Sequence, residues 1–355
     1  VIYVRYADST YYLISARRTA ANTWQETTVE SVPRSQGYID SQYSLAFNGS
    51  GNPCVSYIKT TSSPYSCTLY YAAYSGSTWQ KQAVYSGNDT FYSNLTFNGS
   101  TPAIAFSAGS AGLKYAYLSG GSWTIQTVDA SGSSYLRNRQ SDITLGFGNG
   151  KPLICYNDQD MRSLKFAYYL NGSWITKTVE ASTSSNNYTG DYATMQVSQA
   201  AGSYVVYLVH SNYWLNETTT IRLKTLAVNS DSDLTGTLFS SQTVYTGRFG
   251  NMPPLLVSGI KDGNPSIAFL DIWASKTRYI SMQPDIQAVS SVPFEAAASG
   301  SSQSRDVTIT NNGSINLSIS EITAPSAPFR ITGGDPGSLA PGESRVMTVY
   351  FEPTA

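Results

Sequence analysis

Charged side chains that could act on or hold a ligand are concentrated between residues 137 and 162. They are Arg137, Arg139, Asp142, Asp158, Asp160 and Arg162. Paired carboxylates cleave glycosidic bonds, so the three aspartates are candidates for a hydrolase site. The same side chains could instead form hydrogen bonds with the hydroxyl groups of a sugar or with a peptide, as part of a binding site.

Three residues from later in the chain join this set of ligand-binding candidates: Trp214, Asp271 and Trp273. Trp214 and Trp273 lie off the repeated tryptophan position, in loops, so we expect their rings to stack on a ligand. Three interpretations of the charged face stay open. It is a solvated rim whose aspartates cap turns, a sugar- or peptide-binding mouth, or a hydrolase site.

Other kinds of chemistry lack the residues that they need. His210 is the single histidine, and no Gly-x-Ser-x-Gly sequence accompanies it, so we expect a structural role for it. Zinc sites of Cys and His are excluded by count and spacing, and no phosphate- or dinucleotide-binding glycine motif is present. Asp158-Gln159-Asp160 has too few oxygen ligands for a typical calcium loop. We therefore predict no catalytic residue, metal or cofactor.

A block of short apolar runs recurs about every 50 residues through the first 280 and must position these side chains. The second run of each copy ends at Tyr6, Tyr57, Phe106, Tyr156, Tyr207 and Phe269. The runs are rich in Tyr, Val, Ile and Thr, and Asn-Gly and Gly-Gly turns join them, as in β-hairpins. Six copies of four runs each indicate a six-bladed β-propeller. Its packing tryptophans are Trp24, Trp79, Trp123 and Trp174.

The first and last copies are incomplete. Val1 enters directly in a second strand, and the sixth copy has no recognisable fourth strand. Three explanations stay open. Residues between Pro284 and Val289 could complete the last blade, the ring could close with short blades, or another chain could supply a strand to an open edge.

The composition changes after Gln283, and residues 284–355 form a separate set of alternating strands after a propeller at 1–283. Three stretches, Val307–Ile319, Leu339–Ser344 and Val349–Thr354, resemble the Hydin-type immunoglobulin-like module, also called choice-of-anchor D. The resemblance implies a small β-sandwich that acts as an extracellular spacer or assembly domain, without catalytic residues.

The propeller part is similar, more loosely, to secreted propellers with a Leu-Lys-Tyr-Ala, Gly-Gly-Ser-Trp and Thr-Val repeat. It also resembles six-bladed sialidase-like folds and fucose-type lectins. The sialidase signature Ser-x-Asp-x-Gly-x-Thr-Trp is absent from the sequence, which argues against sialidase activity.

Composition limits the partners of the chain. Charged residues make up 13% of its 355 residues and the net charge is −1, so no basic field exists for nucleic acid. No apolar run approaches the length of a membrane span. We suspect that Val1 follows a processing or cloning cut. Cys54 and Cys67 could pair, or all three cysteines could be buried thiols.

The sequence therefore predicts an all-β protein that is secreted or displayed at the cell surface. Its propeller would bind a glycan or a surface protein without catalysis, and its sandwich would act as spacer or docking module. One alternative is a subunit of an extracellular fibre that self-associates through strand edges. The other is a glycoside hydrolase or lyase with an unusual signature.

Overall fold

The computed structural model describes most of the chain. It does not describe residues 89–90, 131–142, 159–161, 184–186, 215–218, 237–238, 248–255, 262–263, 272–274, 282–285, 290, 314–316, 320, 324, 334–336, 341 and 354–355. The fold below is that of the remaining residues.

Six antiparallel sheets follow one another along the chain, and within each sheet consecutive strands are neighbours. Sheet 1 contains β1 (Ile2–Ala7), β2 (Thr10–Ala20) and β3 (Thr23–Pro33). Sheet 2 contains β4 (Gly37–Phe47), β5 (Pro53–Ser62), β6 (Tyr65–Tyr74) and β7 (Trp79–Gly87). Sheet 3 contains β8 (Phe91–Asn98), β9 (Thr101–Ser107), β10 (Leu113–Ser119) and β11 (Ser122–Asp129).

The next two sheets also have four strands. Sheet 4 contains β12 (Ile143–Gly148), β13 (Lys151–Asp158), β14 (Ser163–Leu170) and β15 (Ser173–Ala181). Sheet 5 contains β16 (Asn187–Ala200), β17 (Ser203–Trp214), β18 (Thr219–Val228) and β19 (Ser240–Gly247). Sheet 6 contains β20 (Leu256–Lys261), β21 (Asn264–Asp271) and β22 (Lys276–Ser281).

Separate apolar cores lie between successive sheets from sheet 1 to sheet 5. Tyr57 of sheet 2 packs with Leu13 of sheet 1, and Phe166 of sheet 4 packs with Leu208 of sheet 5. Meandering sheets that stack face to face in this way are the blades of a β-propeller. The all-β prediction is confirmed. Closure of the sheets into one six-bladed ring stays a prediction.

The first strands of neighbouring sheets are linked by hydrogen bonds of polar side chains, between residues 49 to 64 positions apart. The Leu95 amide donates to Ser44 Oγ over 3.0 Å, and the Leu145 amide donates to Asn94 Oδ1 over 2.9 Å. Thr144 and Thr194 continue the series into sheet 5 and to Ser258. These bonds fix the register of one sheet against the next.

The repeated tryptophans link the outer strands. The indole Nε1 of Trp79 donates to Thr27, that of Trp123 to Gln82, and that of Trp174 to Gln126 of the preceding sheet. The packing role predicted for these three tryptophans is therefore confirmed. Trp24 differs, because its side chain is 50% exposed.

A β-bulge recurs where the last two strands pair in each of sheets 1 to 5. In sheet 4, for example, the register shifts between Leu164 and Lys165, next to Glu180. The other bulges lie at Leu13, Leu69, Leu113 and Ile221. A bulge re-aims the side chain beside it, and in this fold it sets the position of one residue per sheet.

The chain divides into two compact units, Val1–Ser258 with Ala268–Arg278 and Gly259–Ile267 with Tyr279–Ala355. The predicted boundary between residues 283 and 284 stays a prediction. The second unit contains β23 (Ile286–Gln287), β24 (Gln303–Asn311), β25 (Leu317–Ile319), β26 (Phe329–Thr332), β27 (Gly337–Leu339) and β28 (Ser344–Phe351).

Two sheets of the second unit share one small core. The order of one sheet is β23-β24-β28-β26, and β25 pairs with β27 in the other. Val307, Ile309 and Met347 of the first sheet pack with Leu339 of the second. This is a small two-sheet arrangement. The finer assignment to the immunoglobulin-like class stays a prediction.

Helix is scarce in the described part of the chain. It consists of the helix α1 (Asp231–Thr235) and a 3-10 turn at Gly109–Ala111. The sequence had not predicted α1, whose N-terminus is closed by a capping box between Ser230 and Asp233. No helix among the described residues is long and apolar enough to cross a membrane.

Candidate functional site

The predicted charged site is described only in part. Arg137, Arg139, Asp142, Asp160 and Trp273 lie outside the described residues. Trp214 ends strand β17 rather than lying in a loop, and Asp271 ends β21, but the side chains of both are outside the description. Asp158 and Arg162 are the two predicted residues whose side chains have a described environment.

Asp158 is a buried partner in an ion-pair cluster between sheets 3 and 4. Its carboxylate lies 2.6 Å from Lys165 Nζ, and its side chain is 5% exposed. Lys165 also lies 3.4 Å from Asp129. Burial would lower the pKa of Lys165, but the two carboxylates outweigh it and raise that pKa. The arrangement pairs Asp158 with a cation and contributes to sheet packing.

Arg162 stands four residues after Asp158, at the start of the next strand. Its backbone is in the left-handed region, with φ of 47°, and its side chain is half-buried. The described residues therefore place Asp158 and Arg162 at the same end of sheet 4.

A pairing between neighbouring sheets explains where the acidic residues lie. In the last strand of each of sheets 1 to 5, the residue that follows a valine reaches an aromatic ring on the second strand of the next sheet. These valines are Val29, Val84, Val128, Val179 and Val244. The pairs are Glu30 with Tyr57, Tyr85 with Phe106, Asp129 with Tyr156, Glu180 with His210, and Tyr245 with Phe269. An acid meets a polar ring in three pairs, and a tyrosine meets a phenylalanine in two.

This pairing corrects the assignment of second-strand residues made from spacing. In sheet 5 the bulge residue Ile221 pairs with Ser211. The ring residue precedes that partner and is therefore His210, not Tyr207. In sheet 1 the bulge residue Leu13 pairs with Val4, so the corresponding residue is Tyr3, not Tyr6. Strands β16 and β17 have 14 and 12 residues, which lengthens the spacing in this copy. The expected structural role of the single histidine agrees with its position.

Glu180 collects the donors at the boundary of sheets 4 and 5. Arg222 and Lys224 form ion pairs with its two oxygens, Asn212 donates over 3.3 Å, and His210 Nε2 lies 3.6 Å away. Burial by itself would raise the pKa of Glu180. The neighbouring His210 and Lys224 side chains outweigh burial and lower that pKa to about 2.

A row of tyrosines lies at one end of sheets 1 and 2. This end corresponds to the end of sheet 4 that carries Asp158 and Arg162. We call the row the tyrosine stripe; it consists of Tyr6, Tyr11, Tyr38 and Tyr65. The rings of Tyr6 and Tyr11 are 4.9 Å apart, and those of Tyr11 and Tyr38 are 6.5 Å apart. Cys67, burial and the neighbouring Tyr38 side chain raise the pKa of Tyr65. Three of the rings, those of Tyr6, Tyr38 and Tyr65, are 39–53% exposed.

The backbone holds the two ends of the stripe. Tyr6 and Tyr11 are cross-strand partners around a two-residue turn, Asp8-Ser9, in which both residues have positive φ. Such a turn matches the twist of a hairpin and fixes its register. Gly37 precedes Tyr38, and a Cβ at Gly37 would lie 1.9 Å from the Thr60 carbonyl oxygen. Only glycine allows this close approach of β4 to β5.

Arg34 adds a cation to the stripe. Its guanidinium lies 6.0 Å from the centre of the Tyr6 ring, and the Tyr6 side chain raises the pKa of Arg34. Asp8 is exposed in the adjacent turn. The stripe thus combines flat apolar faces with hydroxyl, guanidinium and carboxylate groups.

The sequence did not predict the stripe. One available signal was the tyrosines on both sides of the Asp8-Ser9 turn. The neighbourhood of Tyr38 and Tyr65 depends on tertiary structure.

A cavity of 850 Å³ lies between the first strands of sheets 2 to 5. Its described wall contains no Asp, Glu, Lys or Arg and is polar at Ser44, Asn94, Thr96, Thr144, Thr194 and Gln196. Several of these side chains form the bonds between sheets described above. The cavity therefore lacks acids for hydrolysis among the described residues, and its polar groups mainly hold the fold.

The described residues contain no group of three His, Cys, Asp or Glu side chains that could hold a metal ion. Cys54, Cys67 and Cys155 are free and buried. The alternative of a Cys54–Cys67 disulfide is thus not realised. Burial raises the pKa of Cys54 and Cys155, which keeps those thiols protonated at neutral pH.

Comparisons with known proteins give similarity of fold at low identity. No family model matches the chain, and no curated protein matches it. A mutant of Aleuria aurantia lectin in complex with alpha-methyl-L-fucoside has a TM-score of 0.45 and 11% identity, over 79% of this chain and 90% of the lectin. A mutant of AofleA from Arthrobotrys oligospora has a TM-score of 0.45 and 11% identity, over 100% and 89%.

An enzyme is among the similar structures as well. Penicillium chrysogenum alpha-L-arabinanase complexed with arabinobiose has a TM-score of 0.42 and 12% identity, over 88% of this chain and 92% of the enzyme. Likenesses this distant assign neither ligand nor activity to the chain.

Proposed function

We propose that the protein recognises a glycan without catalysis and that the tyrosine stripe is its binding surface. The observation that carries the proposal is the row of neighbouring, partly exposed rings at one end of sheets 1 and 2. Aromatic rings outside a core usually pack against something, because their exposure costs apolar burial. A linear glycan presents flat C–H faces to such rings and hydroxyl groups along its edges.

The groups beside the stripe match those hydroxyls. Arg34 supplies N–H donors, the exposed Asp8 carboxylate accepts, and each tyrosine hydroxyl can do either. The rings are held in place by the Asp8-Ser9 turn and by the close approach at Gly37. A surface that is ordered before binding loses less entropy on binding.

The hydrolase alternative finds less support in the described residues. Of its three predicted carboxylates, Asp158 is buried and paired with Lys165, whereas Asp142 and Asp160 lie outside the description. A catalytic acid and base must reach the scissile bond, and a carboxylate held by a lysine in a sheet interface does not meet that need.

Affinity electrophoresis and calorimetry against a panel of soluble polysaccharides test the proposal. We expect one or more glycans to bind, and Tyr38→Ala and Tyr65→Ala to weaken affinity by about two- to tenfold each. Tyr12→Ala is the matched control, because Tyr12 neighbours Tyr11 but points to the opposite face of β2. Equal effects of the stripe variants and the control, or no binding across the panel, would contradict the proposal.

The fibre alternative has a different structural basis. Val1 and Ala16 exchange both backbone hydrogen bonds, so the backbone groups of Ile2, Val4 and Tyr6 point away from β2. Strand β1 is thus an edge in the described part of the chain, and an added strand could pair with it. Light scattering tests this alternative, because a monomer at high protein concentration argues against it.

We further propose that the second unit spaces or docks the first and that the protein acts outside the cell or on its surface. The scarcity of charged residues and the tyrosine-rich surface support this location. Surface labelling of intact cells that make the protein, compared with a cytoplasmic control protein, tests it.

A further inference from the structure

A concave surface lies at the opposite end of sheets 1 and 2 from the tyrosine stripe. It is a groove of 330 Å³ near the turn that joins β2 to β3 and the turn that joins β4 to β5. The side chains that define its chemistry are those of Arg17, Arg18, Trp24, Gln25, Phe47 and Trp79. Its volume is at the small end of the range for ligand sites in proteins.

Two of its aromatic residues are unusually exposed. Trp24 is 50% exposed and Phe47 is 60% exposed. Trp79, Trp123 and Trp174, the counterparts of Trp24, each donate their indole N–H to the preceding sheet. Trp24 makes no such bond with any described residue. Its ring is therefore available to a ligand, whereas the other three belong to the packing.

The charge of the groove is one-sided. Arg17 and Arg18 line it, and its lining includes no aspartate or glutamate. Arg18 donates Nε to the Ala20 carbonyl oxygen over 3.3 Å, and neither arginine forms an ion pair with a described residue. The nearby Glu26 is engaged by Tyr3 and Arg5. In a chain with 13% charged residues, two adjacent arginines without counter-ions form a distinct anion-attracting feature.

We propose that this groove binds one acidic sugar unit, a uronic acid, through its carboxylate and its ring. The guanidinium group of Arg18, whose residue is the cross-strand partner of Trp24, holds the carboxylate, a role for which arginine is suited. The exposed Trp24 and Phe47 rings cover the C–H face of the sugar. Gln25 and the neighbouring Asn52 hydrogen-bond its hydroxyls. This site is separate from the tyrosine stripe and does not rest on the stripe being a binding surface.

The test compares two ligands that differ in one group, methyl glucuronide and methyl glucoside, and repeats the comparison with methyl galacturonide. Binding to the full chain is followed by calorimetry and tryptophan fluorescence. We expect a uronide to bind at least about tenfold more tightly than its neutral partner, as a charge-assisted hydrogen bond would give. We also expect that preference to shrink as salt concentration rises.

Variants identify the groups responsible. Arg18→Gln should remove most of the preference for the uronide and leave the weak binding of the neutral sugar. Arg17→Gln should have a smaller effect, because Arg17 points to the opposite face of β2. Trp24→Ala should weaken both ligands. Lys276→Gln is the control, because Lys276 is an exposed cation outside the groove and forms no ion pair with a described residue. Circular dichroism checks that each variant is folded, which is expected because Arg17 and Trp24 are exposed.

Three results would overturn the proposal. The first is no binding of either uronide at millimolar concentration. The second is equal affinity for the uronide and the neutral glycoside. The third is binding of an acidic peptide, acetyl-glutamate amide, as tight as that of the uronide, since the sugar ring would then contribute nothing. Substitutions in the tyrosine stripe should not change any of these three measurements. The two sites are therefore tested independently.

Discussion

The phenolic oxygen of Tyr156 in sheet 4 donates a hydrogen bond to Asp129 Oδ2 of sheet 3, with 2.5 Å between the two oxygens. Both side chains are buried, at 1% and 7% exposure. At the previous interface the same two positions hold Phe106 and Tyr85, whose rings pack together. Each interface therefore carries a matched pair, since a buried carboxylate requires a donor and a phenylalanine ring does not.

Tyr156→Phe should destabilise the fold by about 2 kcal/mol, because it removes a hydrogen bond to a buried carboxylate. A double-mutant cycle with Asp129→Asn, measured by urea denaturation, should show a coupling of about 1 kcal/mol. Tyr117→Phe is the control, because Tyr117 is partly buried and its hydroxyl has no bond to a described residue. Additive effects of the two substitutions would contradict the matched-pair interpretation.

Glu180 should make the fold sensitive to acid. Its folded-state pKa of about 2 lies below its ordinary value of 4.5. The ionised form is therefore favoured by folding, and its contribution is present above pH 4.5 and is lost as the pH falls toward 2. A shift of this size corresponds to about 3 kcal/mol. Thermal unfolding followed between pH 6 and pH 2 measures the loss.

Glu180→Gln should flatten this dependence and lower stability at neutral pH by about 3 kcal/mol, because Lys224 and Arg222 lose their partner. Glu26→Gln serves as comparison, since Glu26 forms its ion pair with Arg5 at the surface. We expect a smaller effect there, because water screens an exposed pair. An unchanged acid profile in Glu180→Gln would show that another group titrates.

Gly37→Ala should destabilise sheet 2 by about 2 kcal/mol, because its Cβ would overlap the Thr60 carbonyl oxygen. The same substitution should displace Tyr38. Affinity for the glycan should therefore fall by more than the loss of folded protein accounts for. Gly49→Ala is the matched control, since nothing lies within 4 Å of a Cβ at Gly49. Denaturation and binding are measured on the same samples. Equal stability of the two variants would contradict the close approach of β4 to β5.

The three thiols should react slowly with a disulfide reagent in the folded protein, because all are buried and the pKa of two of them is raised. In denaturant without reductant, three thiols per chain should react. A count of one would mean that Cys54 and Cys67 form a disulfide after all. The absorbance of the released reagent gives the count in both states.

Local signals in the sequence were sufficient for the strands of the first unit. Alternating apolar residues between Asn-Gly and Gly-Gly turns predict short paired strands, and β12 to β15 follow that prediction closely. Spacing was less reliable where a copy changes length. It selected Tyr207 where the structure places His210, because β16 and β17 are longer and register is set by pairing rather than by counting.

The candidate sites were harder to predict, because a binding surface depends on which side chains remain uncovered. Trp24 occupies the same repeat position as Trp174, and nothing in its local sequence distinguishes a packed ring from an exposed one. The two adjacent arginines before it, Arg17 and Arg18, are a local signal of a cationic site. Asp158 was a candidate for chemistry in the sequence, but in the structure it is paired with Lys165.

The sequence by itself determined the all-β class, the repeat of about 50 residues and the positions of most turns, because these depend on local backbone preference and on period-two alternation. Tertiary structure alone decided which acids are paired, which tyrosines form a row and which tryptophan is exposed. Those properties depend on contacts between sheets some 50 residues apart in the chain, as between Asn94 and Leu145. Burial and pairing are set by the neighbouring sheet, whose identity no local pattern records.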